Sequence, residues 1–333
     1  MKTQVTISLY MSIFFIIGVS CVNAEESKKD STMDDIFWME AWSDNSYRDT
    51  NFGLENPFWD RDYKEKDFII SMLTVKVGGR LPLYKNIYLD PYMKFELIGD
   101  WGNDMWNDVY WNNNFKWGPG ARLRYEFKSS EQGTGSWFKN LNLDIFSEYL
   151  TMEDSIDSSK NVIPDRVPNN NFRAGSSIWL SIDSRNTISD LVSFWGEMWG
   201  ELAYESTNFY EAEKEDFYIL ALQPKLGLKF RLSNIVSLQP YFCADFKMDF
   251  ADEKWNKKPW LNHIQYGPGI RLGFGNIKFL KNANIYLYWE DLSIDYLSRV
   301  SEDEYKYLAS SDTRIGIEFW FPFGATKESV YRH

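Results

Sequence analysis

Along most of this chain, charged or small residues alternate one for one with large apolar ones. A backbone that does this for ten residues or more is extended, with the two sets on opposite faces. Lys76, Gly78 and Arg80 interleave with Val75, Val77, Gly79 and Leu81, and Lys225, Gly227, Lys229 and Arg231 with Leu226, Leu228 and Phe230. Gly267, Gly269, Arg271 and Gly273 do the same with Tyr266, Pro268, Ile270, Leu272 and Phe274. So do Arg314, Gly316 and Glu318 with Ile315, Ile317, Phe319 and Phe321. The period predicts twelve strands, near 36–47, 67–83, 87–99, 114–128, 138–151, 171–183, 194–206, 216–232, 236–250, 263–276, 281–293 and 311–322.

The joins between these segments alternate in length: 232–235 is short, whereas 48–66, 100–113 and 151–170 are long. An even number of strands with short turns on one side and long loops on the other is the pattern of an all-β, transmembrane antiparallel β-barrel with both termini in the periplasm. Alternation by itself also fits a soluble β-sandwich, in which the apolar face is the core and the charged face the surface. Aromatic residues near strand ends, Tyr125, Phe127, Tyr149, Trp289 and Phe321, favour the barrel as interfacial girdles. The closing strand 314–321 resembles the aromatic-ended signal for outer-membrane assembly, although a tail, 323–333, follows the barrel.

Residues 1–24 read as a secretory signal peptide, with Lys2 at its start, an apolar stretch from Ile7 to Val22 and Val22-Asn23-Ala24 before the cut. A lipid on Cys21 is the alternative, but the bulky aliphatic residue expected three positions earlier is Gly18. Cleavage at Ala24 leaves Cys243 as the one cysteine and no intrachain disulfide. A short periplasmic segment, 25–36, would then lead into a barrel over 37–322, placed in the outer membrane of a Gram-negative bacterium with its lipid as a partner. With 48 acidic against 36 basic residues, a net charge of −12, the chain has no basic face for nucleic acid.

Two halves of the chain repeat. Leu89-Asp90-Pro91-Tyr92 returns as Leu238-Gln239-Pro240-Tyr241, and Trp117-Gly118-Pro119-Gly120-Ala121-Arg122-Leu123 as Tyr266-Gly267-Pro268-Gly269-Ile270-Arg271-Leu272, both 149 residues later. Phe37-Trp38-Met39-Glu40 is echoed by Phe194-Trp195-Gly196-Glu197. The reading is a tandem duplication of a six-strand unit, about 37–183 and 194–322.

In a barrel the charged faces line the lumen. The candidate lumen-lining residues are Glu40, Lys76, Arg80, Arg122, Arg124, Glu148, Arg173, Glu197, Lys225, Lys229, Arg271, Glu290, Arg314 and Glu318. They either pair with one another to satisfy a polar interior or line a wet passage for polar solutes. Twelve strands enclose much less space than the 16 to 18 of open porins. Trp101, Trp106, Trp111, Trp255 and Trp260, set among Asn and Asp in the long loops, are candidate glycan-binding residues, since an indole covers the C–H face of a sugar; the plainer alternative is an aromatic girdle. No catalytic set emerges: His263 and His333 are the only histidines, and neither has a serine, cysteine or metal-ligand spacing beside it. No metal and no cofactor are expected.

The Pro-Tyr strand start, the Gly-Pro-Gly-x-Arg-Leu strand and Phe37-Trp38-Met39-Glu40 resemble the C-terminal barrel of bacteriophage N4 adsorption protein A and related exopolysaccharide-secretion barrels. The resemblance implies export or surface presentation of a polysaccharide through a porin-like barrel, exploited by phage for adsorption, with periplasmic export components as partners. A non-conducting barrel with a binding or structural role is the alternative.

Overall fold

The computed structural model describes residues 36–49, 67–101, 113–128, 138–154, 170–183, 191–207, 215–250, 261–275, 283–297 and 310–324. They contain β1 Phe37–Asp49, β2 Asp67–Gly79, β3 Leu81–Tyr84, β4 Ile87–Asp100, β5 Asn114–Lys128, β6 Phe138–Asp154 and β7 Asn170–Asp183. β8 Val192–Thr207, β9 Glu215–Arg231, β10 Val236–Asp249, β11 His263–Phe274, β12 Asn284–Tyr296 and β13 Ser311–Gly324 follow. Apart from β2 and β3, neighbours in sequence pair antiparallel; β2 also pairs with β4, and β1 pairs with both β2 and β13, which closes the sheet. That seam is unbroken from Trp38↔Gly324 to Asp49↔Thr313.

β3 continues β2 in the same register against β4, from Gly78↔Tyr92 to Leu81↔Leu89. The wall is therefore a closed twelve-strand barrel, in which β3 prolongs the second strand past the start of β1 while the start of β4 stays paired with β5. The interruption falls at Arg80, whose amide donates to the Ile36 carbonyl at 2.6 Å just before β1 begins. The expected strands match to within a few residues, apart from this division of 67–83 and a shift of 281–293 to Asn284–Tyr296. The expected signal peptide and nearly all of the N-terminal segment and tail lie outside the described residues.

Closure decides which face meets which medium. Leu226, Leu228, Ile270, Ile315 and Ile317 face outward and are exposed, whereas Asp90, Arg122, Glu148, Arg271 and Glu290 point inward and are at most 4 % exposed. In water that arrangement would forfeit the hydrophobic contribution of every strand and bury the charges as well. In hydrocarbon it satisfies both sets, because the strands hydrogen-bond to one another all the way round. The chain is an outer-membrane β-barrel.

Tyr125, Phe127 and Tyr149 face outward as expected of a girdle, and the Tyr149 hydroxyl donates to Asn170 at 2.9 Å. Phe321 departs from that expectation: it is 2 % exposed, stacked between Phe319 and Phe323 and packed against Ala41 and Ala283. The turn joining β9 to β10 is tight because the Ser233 hydroxyl accepts from the amides of Ile235 and Val236 at 3.2 and 3.0 Å. It lies at the same end as Phe37 and Gly324, the two ends of the barrel sequence. In a Cys243→Ala background, Asn107→Cys should react with an impermeant thiol reagent on intact cells and Asn234→Cys only after the outer membrane is permeabilised. The reverse pattern would invert the topology.

Candidate lumen site

The Gly-Pro-Gly strands are seats for two tyrosines. Tyr92 lies opposite Gly120, and Tyr241 opposite Gly269. A Cβ on either glycine would come within 2.6 or 2.5 Å of the facing ring. With nothing beneath it, each ring crosses the neighbouring strand, and its hydroxyl donates to a carboxylate on the strand beyond: Tyr92 to Glu148 and Tyr241 to Glu290, both at 2.7 Å. Trp38 and Trp195 meet these tyrosines edge to face, each at 5.7 Å and 64°.

Around this frame the first half builds a stack of ion pairs. Glu40 on β1 reaches across β2 and β4 to Arg122 on β5 and accepts two hydrogen bonds at 2.9 and 3.0 Å; Arg124 adds a third at 3.2 Å and grips Asp144 through two more at 2.8 Å. Such forked guanidinium–carboxylate pairs are the strong ones. Toward the terminal end, Arg80 holds Asp90 through two bonds and Glu126 at 2.8 Å. Toward the long loops, Glu148 takes Lys76 and Lys94 at 3.1 Å and Arg173 at 3.5 Å, and Arg173 also contacts Glu201.

The second half repeats the plan with fewer charges. Arg271 donates to Glu197 at 2.9 Å and to Gln239 at 2.9 Å, with its guanidinium between Trp195 and Tyr286 at 3.9 and 4.1 Å. Lys225 and Arg314 approach Glu290 at 3.4 and 3.8 Å. In register with Asp90, Lys94 and Arg124 stand Gln239, Cys243 and Gly273, so this wall is polar where the other is ionic. Cys243 is buried, with its thiol 3.6 Å from the Gly267 carbonyl.

Between the two networks lies a cavity of about 750 Å³. Eleven of the fourteen expected lumen residues line it. Arg80 and Arg271 are buried beneath that lining, and Lys229 faces inward opposite Ser193 near the terminal end. The lining carries ten carboxylates and eight cationic groups, and the contacts above neutralise most of them locally.

Of the five loop tryptophans, Trp106, Trp111, Trp255 and Trp260 lie outside the described residues. Trp101 does not project as a loop residue: it donates to the Ser71 hydroxyl at 2.9 Å and lies against Gly99. Ser71 alternates with Met72 and Thr74, which line the lumen, so Trp101 sits on the outer wall, in a girdle position. The lumen holds other tryptophans that loop composition does not point to, namely Trp42, Trp179, Trp199 and Trp320. Their signal was parity, since Trp42 follows Glu40 and Trp199 follows Glu197 by two residues. Among the described residues no group of three His, Cys, Asp or Glu could hold a metal ion.

No family model and no curated protein matches the chain. Among solved structures it is similar to an outer membrane channel from Pseudomonas putida F1, at 9 % identity and a TM-score of 0.46 over 89 % of this chain and 100 % of that one. It is also similar to the translocator domain of autotransporter NalP from Neisseria meningitidis, at 9 % identity and 0.34 over 96 % and 97 %. A third is a KdgM porin in complex with disordered oligogalacturonate, at 8 % identity and 0.30 over 84 % and 98 %.

Proposed function

We propose that this outer-membrane barrel is a channel for a saccharide chain, working in the export or surface presentation of an exopolysaccharide, with periplasmic export components as partners. The observation that carries the reading is the 750 Å³ lumen cavity, lined by four tryptophans amid charges most of which are paired. Such a wall offers stacking surfaces and hydroxyl partners without a strong single-sign field. The role is non-catalytic. The matched geometries of Tyr92 with Glu148 and Tyr241 with Glu290 support descent of the two halves from one six-strand unit, and the resemblance of the short motifs to those of phage-adsorption barrels fits a surface-glycan role. Deleting the gene should lower surface polysaccharide, and wild-type protein supplied in trans should restore it; unchanged surface glycan would end the export reading.

A second reading is favoured by the Glu40–Arg122 and Glu197–Arg271 contacts, each of which bridges a quarter of the wall and fills part of the lumen: a plugged barrel whose surface alone acts. Planar-bilayer currents separate the two. Under the channel reading wild type conducts, and Arg122→Gln with Arg271→Gln removes two positive charges beside a wall already richer in carboxylates. The reversal potential in a KCl gradient should then move toward cation selectivity. A silent wild-type barrel would favour the plugged form.

A further inference from the structure

Cross-strand register sets two matching rows of uncharged side chains on the lumen wall. In one, Thr74, Trp42, Trp320 and Asn284 lie side by side across β2, β1, β13 and β12. In the other, Gln223, Trp199, Trp179 and Asn142 do so across β9, β8, β7 and β6. Every one of these residues lines the cavity. The β1–β13 pair and the β7–β8 pair are half the circumference apart, so the two tryptophan pairs stand on opposite walls.

The neutrality of the rows is local. On β1, Glu40 and Asp44 bracket Trp42, and on β8, Glu197 and Glu201 bracket Trp199. All four indoles are only partly buried, so part of each ring faces the lumen. Asn142 is 4 % exposed and its Oδ1 has no hydrogen-bond partner among the described residues. A buried amide oxygen without a donor is costly, and a hydroxyl brought in by a ligand would satisfy it.

We propose that the two rows form a saccharide clamp inside the lumen, selective for an uncharged pyranose chain. The indole faces cover the C–H faces of the sugar rings from two sides, and the Thr74 hydroxyl and the Gln223, Asn142 and Asn284 amides exchange hydrogen bonds with the ring hydroxyls. A polyanion finds no equivalent welcome, because the nearby cations already hold carboxylates: Lys76 and Lys94 on Glu148, Lys225 on Glu290, Arg122 on Glu40. The clamp deepens the channel reading and rests on it for the passage of the chain, but binding and passage are measured separately.

The test is calorimetric titration of the purified, detergent-solubilised full chain with maltohexaose, cellohexaose and hexagalacturonate. At least one neutral hexamer should bind, and hexagalacturonate at least roughly tenfold more weakly. Trp42→Ala with Trp199→Ala should weaken the neutral hexamer by roughly tenfold or more, on the scale of one or two aromatic contacts. Trp42→Phe with Trp199→Phe should recover most of that loss, and heat-modifiable gel migration checks that every variant is a folded barrel. Failure of both neutral hexamers to bind at about 10 mM, equal binding by the alanine variant, or tighter binding of the polyanion would overturn the clamp. Bilayer currents on the same wild-type sample report the channel: binding without current removes the channel and keeps the clamp, and current without binding does the opposite.

Discussion

Glu148→Gln should loosen this barrel more than any other single substitution in the lumen. The carboxylate is 2 % exposed and is shared by Lys76, Lys94, Arg173 and the Tyr92 hydroxyl. Neutralising it strands Lys76 and removes the charge shared by two further cations, although Lys94 keeps Glu96 at 3.2 Å and Arg173 keeps Glu201. Removing one partner from a buried ion cluster costs roughly 3 to 5 kcal/mol, most of it the penalty of the charges left behind. Glu290→Gln should cost less, since Lys225 and Arg314 stand farther off at 3.4 and 3.8 Å, and Cys243 occupies the place that Lys94 has in the first half. Urea unfolding in lipid vesicles reads the difference. Adding Lys76→Met to Glu148→Gln should recover part of the loss, because Glu148 is the ion-pair partner of Lys76 and the double variant removes the charge it leaves stranded. Equal losses at Glu148 and Glu290, or no recovery, would mean that water screens the lumen and the cluster contributes little.

The outer face gives the second large effect. Ile145 is the outward residue at the middle of β6 and is 65 % exposed, so Ile145→Arg places a charge in the hydrocarbon centre at a cost of roughly 2 to 4 kcal/mol. Leu228→Arg, three residues from the end of β9, should cost about 0 to 1 kcal/mol, since the guanidinium reaches the headgroups. Lys229→Leu, on the inner face, should be mild. The same unfolding measurement ranks the three, and a flat ranking would contradict the assignment of faces.

The strands were legible because each keeps its two residue sets apart: Lys225 and Lys229 never share a face with Leu226 and Leu228. Which set meets lipid was not, since a period of two is symmetric between inside and outside and only closure through β1 and β13 breaks the tie. The lumen charges were legible through their recurrence, yet their partners were not. Glu40 and Arg122 are on strands separated by two others, and no local spacing announces a contact that skips two strands. The tryptophan rows were hidden for a related reason. Trp42 meets Trp320 only through the closing pair of strands, whereas tryptophans crowded among Asn and Asp in the loops draw attention by composition alone. Trp101 shows the cost of that emphasis, being bound to the wall by Ser71.

The unbroken pairing of β1 with β13 also fixes the route of any cargo. Parting those strands to let a chain slip sideways into the bilayer would strand a row of amides and carbonyls in hydrocarbon, each at a cost of several kcal/mol, from Trp38↔Gly324 to Asp49↔Thr313. No strand of this wall is shortened at the seam to ease such a parting. Under the channel reading, traffic is therefore axial: a chain that enters at one mouth leaves by the other, and each of its units is presented in turn to the same inner surface.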